Sequence, residues 1–126
     1  MKLINFDTYI LDENDNEVKE EDTIKWSIWM EKNFKKLRID FTKVEDYRIS
    51  TLFYGINYFK IISGKPLLYE TKLFIIDPEN KEYGFTEVKE KGLGFMTQRN
   101  YNSKEGAIRG HIKMVEDVKK LVKKVL

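Results

Sequence analysis

The chain has no cysteine, two prolines and a single histidine in 126 residues. Because there is no thiol, disulfides, cysteine nucleophiles and cysteine-based zinc sites are excluded. Hydrophobic runs are short, and none approaches the roughly 18 apolar residues that a membrane span requires. The chain also has no large excess of charge of either sign, since it contains 23 basic and 21 acidic residues and its net charge is +2. This balance gives no basis for predicting nucleic-acid binding.

The residues that are present are those of a folded protein. Hydrophobic residues make up 41% and aromatic residues 13% of the chain, a composition that can bury a core. The length is typical of one domain, so we expect a single domain spanning residues 1–126. No signal-peptide pattern opens the chain, and the expectation is a cytoplasmic protein that makes no membrane contact.

The stretch "EEDTIKWSIWMEKNFKKL" predicts a first helix over residues 20–37. Asp22 is placed to cap its N-terminus, where a carboxylate accepts hydrogen bonds from backbone N–H groups. Hydrophobic residues recur on one stripe at spacings of three and four: Trp26, Trp29, Met30, Phe34 and Leu37. Such a stripe can line a cofactor, but core packing is the favoured interpretation and no cofactor is predicted.

Three β-rich segments follow, "RIDFTKV", "YRISTLFYGINYF" and "PLLYETKLFII". The middle segment is apolar on both faces, which is typical of a central strand covered on both sides. Gly55 within it indicates a bulge or the close approach of another group. In the third segment Thr71 lies on one face, and Glu70 and Lys72 lie on the other. That other face is either a solvated or partner-facing surface, or Glu70 lines a pocket.

The chain from about Ser103 to Val125 predicts one final helix with an apolar stripe. The stripe consists of Ala107, Ile108, Met114, Val115, Val118, Leu121, Val122 and Val125. His111 falls near its centre and Gly110 near its edge, where glycine costs about 1 kcal/mol relative to alanine and lets another group approach. His111 is therefore a core histidine bonded to a Tyr, a Thr or a backbone carbonyl, a ligand-pocket residue, or a catalytic base.

The order strand, helix, strands, helix predicts an α+β domain. We expect an antiparallel or mixed sheet of about four to six strands, packed by the helix of the N-terminal half and by the long C-terminal helix.

Between Tyr9 and Val115 the chain resembles a family of short accessory proteins from tailed phages and prophages. The blocks that carry the resemblance are, in order, "YILDE", "DTIKWSIWME", "LRIDFTKVE", "ISTLFYGIN", "GKPLLYETKLF" and "NYNSKEGAIRGHIKMV". Two blocks depart from the family pattern, because its "LDH" reads "INY" here and its "RY" pair is spread over "RNY". The resemblance implies a viral accessory protein with no known reaction, and Glu70–Thr71 and Gly110–His111 as recurrent polar islands.

These polar islands predict a cleft between the sheet and the final helix. The candidate ligand-binding residues are Tyr54, Asn57, Glu70, Thr71, Arg99, Tyr101 and His111. They offer aromatic rings, a guanidinium and an imidazole without a recognisable catalytic set, so no catalytic residue and no metal ligand is predicted.

The expected function is that of a phage-encoded, non-enzymatic binding protein that counteracts a host antiviral defence by sequestering a nucleotide-derived signal. Its expected partner in the host cytoplasm is a small nucleotide-like molecule or a host defence protein, and homo-oligomer formation stays open. One alternative is an inhibitor that binds a host defence protein directly through the face bearing Glu70 and Lys72. Others are a small hydrolase with His111 as base and Glu70 as acid, and a virion or packaging accessory protein.

Overall fold

The computed structural model describes residues 7–57, 65–89 and 93–125. Within these ranges the chain forms eight strands and three helices. The strands are β1 (Asp7–Leu11), β2 (Glu17–Lys19), β3 (Arg38–Val44), β4 (Tyr47–Phe53), β5 (Ile56–Asn57), β6 (Tyr69–Ile76), β7 (Phe85–Glu87) and β8 (Gln98–Tyr101). The helices are α1 (Thr23–Lys32), α2 (Phe34–Leu37) and α3 (Lys104–Val125).

The main sheet has five antiparallel strands and is centred on β6. The order is β3-β4-β6-β7, and β8 pairs with the same side of β6 as β7 does, but further towards its N-terminal end. A second antiparallel sheet has the order β2-β1-β5. The predicted α+β class, with an antiparallel sheet and a long C-terminal helix, is confirmed. No helix in the described ranges is long and apolar enough to cross a membrane.

Helix α3 packs across the centre of the main sheet, as its apolar stripe predicts. Ser103 begins the helix, and its hydroxyl oxygen accepts a hydrogen bond from the Gly106 amide at 3.0 Å. The core between helix and sheet is formed by Ile49, Phe53, Leu68, Tyr69, Leu73, Ala107, Met114 and Val118, each at most 2% exposed. Ile108 departs from the predicted stripe, because it lies at the margin of the packed face and is 41% exposed.

The N-terminal helical segment is shorter than predicted and is broken at Asn33. The Asp22 cap is confirmed, since its carboxylate accepts hydrogen bonds from the amides of Ile24 at 3.0 Å and Lys25 at 3.2 Å. Trp29 packs against the core, but the break turns Phe34 outward and leaves it 64% exposed. The prediction of one continuous helical stripe is therefore wrong at Phe34.

Gly55 lies where the chain passes from the main sheet to the second sheet. Its φ is +68°, and a Cβ at this position would lie 2.5 Å from the backbone oxygen of Tyr9 and 3.1 Å from the indole Nε1 of Trp26. The predicted close approach of another group is confirmed. The single long strand predicted around Gly55 is instead two, because β4 ends at Phe53 and β5 pairs with β1.

Candidate functional site

His111 ties the centre of α3 to three strands of the main sheet. Its Nδ1 lies 2.7 Å from the hydroxyl oxygen of Thr51 on β4, which in turn lies 2.5 Å from that of Thr71 on β6. Its Nε2 lies 2.8 Å from the hydroxyl oxygen of Thr42 on β3. Because each threonine hydroxyl both donates and accepts, the network satisfies both ring nitrogens. His111 is therefore bonded to threonine, as one of the three sequence-based alternatives expects.

The surroundings of His111 favour its neutral form. Only 1% of the residue is exposed, and this burial lowers the pKa of the imidazole, while the Asp40 carboxylate, 3.6 Å from Nε2, opposes the shift. The structure thus places His111 in the core, with both ring nitrogens bonded to threonine hydroxyls. Its predicted ligand-binding role stays a prediction.

Glu70 and Thr71 lie on opposite faces of β6, since successive strand residues alternate. Thr71 is fully buried under α3. Glu70 accepts a hydrogen bond from the Gln98 amide at 3.0 Å and pairs with Lys72 at 3.6 Å. The predicted cleft shared by Glu70 and His111 does not exist, and neither does the acid–base pair of the hydrolase alternative.

Arg99 and Tyr101 on β8 both face α3 and are engaged by it. The Arg99 guanidinium donates to the Asp117 carboxylate at 2.7 Å. Tyr101 lies against Gly110 so closely that a Cβ there would be 2.1 Å from the tyrosine oxygen. The expectation that Gly110 permits a close approach is confirmed, but the approaching group is Tyr101 and not a ligand.

The remaining two candidates also serve the fold. The Tyr54 hydroxyl donates to the Leu67 carbonyl at 2.7 Å and accepts from the Asn100 amide at 2.9 Å. Asn57 is 7% exposed on the short strand β5, in the second sheet. The seven predicted residues are thus distributed over both faces of one sheet and over a second sheet, and they form no common site.

The face of the main sheet that points away from α3 presents a different arrangement. We call it the open face, and it is formed by Arg48, Ser50 and Leu52 of β4, Glu70, Lys72 and Phe74 of β6, and their neighbours on β3, β7 and β8. Arg48, Ser50 and Leu52 are each half-buried on this face. The middle β segment is central as predicted, since β4 lies between β3 and β6, and residues 58 and 59 of that segment lie outside the described residues.

A groove of about 340 Å³ crosses the open face. It is lined by Arg38, Phe41, Arg48, Ser50, Phe74, Tyr83 and Phe85, and we call it the arginine–phenylalanine groove. The strand register brings Phe41 opposite Ser50 and Arg48 opposite Phe74. Because Ser50 is small and has larger side chains around it, the centre of the groove stays unfilled.

Two arginines in the groove are held by aromatic rings. The Arg38 guanidinium carbon lies 4.7 Å from the centroid of the Phe41 ring, and that of Arg48 lies 5.6 Å from the Phe85 ring. Nη1 of Arg48 also donates to the backbone oxygens of Glu45 and Tyr47, both at 2.8 Å. These contacts fix the position of the Arg48 guanidinium in the groove.

Within the part of the chain that the structure describes, no carboxylate pairs with these two arginines. Neither Arg38 nor Arg48 forms an ion pair within the described ranges, in contrast to Arg99. The Nε of Arg48 is buried, and no partner for it exists among the residues that the structure describes. A buried donor without an acceptor is costly, and the positive charge of Arg48 adds to that of Arg38 in favouring an anionic ligand in the groove.

Sequence reasoning missed every residue of this groove. Arg48 and Ser50 lie on the side of β4 opposite to the buried Ile49, and this pair of polar residues was a usable signal. Its combination with Phe41 and Phe85 depends on the register of β3 against β4 and of β7 against β6, which local periodicity does not specify.

In the part of the chain that the structure describes, no group of three or more acidic or histidine side chains is arranged to hold a metal ion. Comparisons with protein-family models, with curated proteins and with solved structures gave no match.

Proposed function

We propose that this chain is a non-enzymatic binding protein that holds a small nucleotide-like molecule in the arginine–phenylalanine groove. The observation that carries the proposal is the pair of ring-stacked arginines without carboxylate partners in one groove. The resemblance to phage accessory proteins supplies the setting, in which the bound molecule is a defence signal of the host cell and its sequestration protects the phage.

The chemistry of the groove matches the two parts of a nucleotide. Phe41, Phe74 and Phe85 supply apolar ring surface, and stacking of one base on an aromatic side chain contributes about 1–3 kcal/mol. The guanidinium groups offer paired N–H donors that fit phosphate oxygens. The volume of about 340 Å³ lies at the lower end of the range for small-molecule sites, which favours a single nucleotide unit.

Binding without turnover is favoured by the ionisable groups that line the groove. They are Arg38, Arg48 and Tyr83. None of them is a histidine or a carboxylate, the side chains that most often act as general acids or bases. These groups fix an anion in place, which is the requirement for sequestration.

Titration calorimetry with adenosine nucleotides tests the proposal. Ser50→Phe places a ring in the unfilled centre of the groove, and we expect it to abolish binding while the protein stays folded. Thr86→Phe is the matched control, since Thr86 is exposed on β7 and does not line the groove. If the unsubstituted protein binds no adenosine nucleotide, or if Ser50→Phe binds as well as Thr86→Phe, the proposal fails.

Direct inhibition of a host defence protein is a second candidate for the same open face. The observation in its favour is that Ile76, on the same face of β6 as the Glu70–Lys72 pair, is 39% exposed, giving an apolar and charged surface next to the groove. Ile76→Glu tests it, because the added charge should weaken binding of a protein partner. Equal binding of a purified host partner by both forms would remove this candidate.

A further inference from the structure

We infer that the ligand of the arginine–phenylalanine groove carries separate anionic groups at two ends, with an uncharged group between them. This inference rests on the proposed function and specifies its ligand class, a nucleoside with phosphates on both sides of its sugar. It follows from where the sheet places the two guanidinium groups.

The two arginines are placed at different points along the strands. The Arg48 guanidinium lies near the β3–β4 hairpin, where Nη1 bonds to the carbonyls of Glu45 and Tyr47. Arg38 pairs with Leu52, four residues further along β4 than Arg48, so the two backbone positions are roughly 14 Å apart in the strand direction. A single phosphate therefore does not reach both guanidinium groups.

The two ends offer different but complementary donor sets. At one end Nη1 of Arg48 is engaged by backbone carbonyls and Nε is buried, so Nη2 is the donor that remains for an anionic group. At the other end Arg38 is exposed, and one face of its guanidinium is covered by Phe41. Its edges remain for a second anionic group.

The acidic residues of the open face do not oppose a ligand with two anionic ends. Glu70 and Glu87 both pair with Lys72, at 3.6 and 3.8 Å. The centre of the groove, at Ser50 and Phe74, carries no charge. The arrangement is therefore positive at both ends and uncharged between them, which is complementary to a nucleoside bisphosphate.

Three probes test this arrangement by titration calorimetry: adenosine 5′-monophosphate, adenosine 5′-diphosphate and adenosine 3′,5′-bisphosphate. The last two carry the same number of phosphates, but only the bisphosphate presents them at two ends. We expect the bisphosphate to bind about tenfold or more tightly than the diphosphate, because it gains one additional charge-assisted contact.

Substitution of either arginine should remove this preference. In Arg38→Gln and Arg48→Gln the bisphosphate should bind no more tightly than the monophosphate, whereas Arg109→Gln, an exposed change on α3 outside the groove, should retain the preference. Because Arg48 also bonds to the backbone, its variant is compared only after its melting temperature has been measured. Arg38→Gln carries the test independently, since Arg38 makes no such bond to the described backbone.

The outcomes separate this inference from the proposed function. Equal binding of the diphosphate and the bisphosphate, with the monophosphate weaker, overturns the two-ended ligand and leaves the groove as a nucleotide site. Absence of binding for all three probes overturns the proposed function and this inference together.

Discussion

The two faces of the main sheet contain similar polar chemistry but use it in opposite ways. On the face covered by α3, the imidazole of His111 and the guanidinium of Arg99 are each bonded to protein groups. On the open face, Arg38 and Arg48 have no carboxylate partner among the described residues, and the Nε of Arg48 is unsatisfied. The Tyr101 hydroxyl and Asn57 Oδ1, away from the open face, are unsatisfied as well. The comparison teaches that an unpaired polar group indicates a candidate site only when, like Arg38 and Arg48, it also lines a groove.

The largest loss of stability is expected when a charged side chain is introduced on the face covered by α3. Val118 is fully buried, so Val118→Asp should lower the free energy of unfolding by roughly 3–5 kcal/mol, because the carboxylate would be buried without a partner. Ile112→Asp is the control on the same helix, since Ile112 is 53% exposed. Urea denaturation measures both, and equal stabilities would contradict the placement of α3.

His111→Ala should cause the next largest decrease in the free energy of unfolding. It removes a buried ring and leaves threonine hydroxyls with fewer partners, at a cost of about 2–3 kcal/mol. Nucleotide binding by the folded variant should be unchanged, because His111 lies on the covered face. Glu70→Gln, on the open face, should alter stability by less than about 0.5 kcal/mol. Titration calorimetry and thermal unfolding of both variants check these expectations. Equal loss of stability in His111→Ala and Glu70→Gln would contradict them.

Gly110→Ala should destabilise the protein although alanine is the better helix former. The new methyl group would overlap the Tyr101 ring, and overpacking of 1–3 kcal/mol outweighs a propensity gain of about 1 kcal/mol. A net loss of up to about 2 kcal/mol is expected from the difference of these terms. Combined with Tyr101→Ala, the glycine substitution should become neutral or stabilising, and additive costs would argue against the contact.

The smallest effect concerns pH. Burial holds the pKa of His111 below its ordinary value of 6.5, so below that value the unfolded chain binds a proton that the folded chain does not. Stability contributed by the neutral ring is complete above about pH 6.5 and falls as the pH decreases towards the folded pKa. The melting temperature should therefore drop between about pH 7.5 and about pH 5.5, and His111→Ala should reduce this drop. An unchanged drop in the variant would assign it to other groups.

The elements of the covered face were predictable because their signals are local. The Asp22 cap and the helix from Ser103 onward follow from residues within one or two turns. Gly110 was also recognised as a place of close approach, although the sequence does not say that Tyr101 fills it. Local patterns of capping and periodicity were sufficient for the class and the order of these elements.

The candidate site was not predictable in the same way. Alternation assigns Glu70 and Thr71 to different faces of β6, yet their adjacency in one polar island suggested a common site. Which face α3 covers depends on packing across the sheet, and the groove depends on the pairing of β3 with β4 and of β7 with β6. Through these pairings the groove brings together residues up to 47 positions apart in the sequence, from Arg38 to Phe85.

The most direct test of the central claim is to observe which face of the sheet contacts a bound ligand. Intermolecular nuclear Overhauser effects between adenosine 3′,5′-bisphosphate and the labelled protein measure this. We predict contacts from the ligand protons to the rings of Phe41, Phe74 and Phe85 on the open face. Contacts to His111 or Thr71, with none to these rings, would contradict the account.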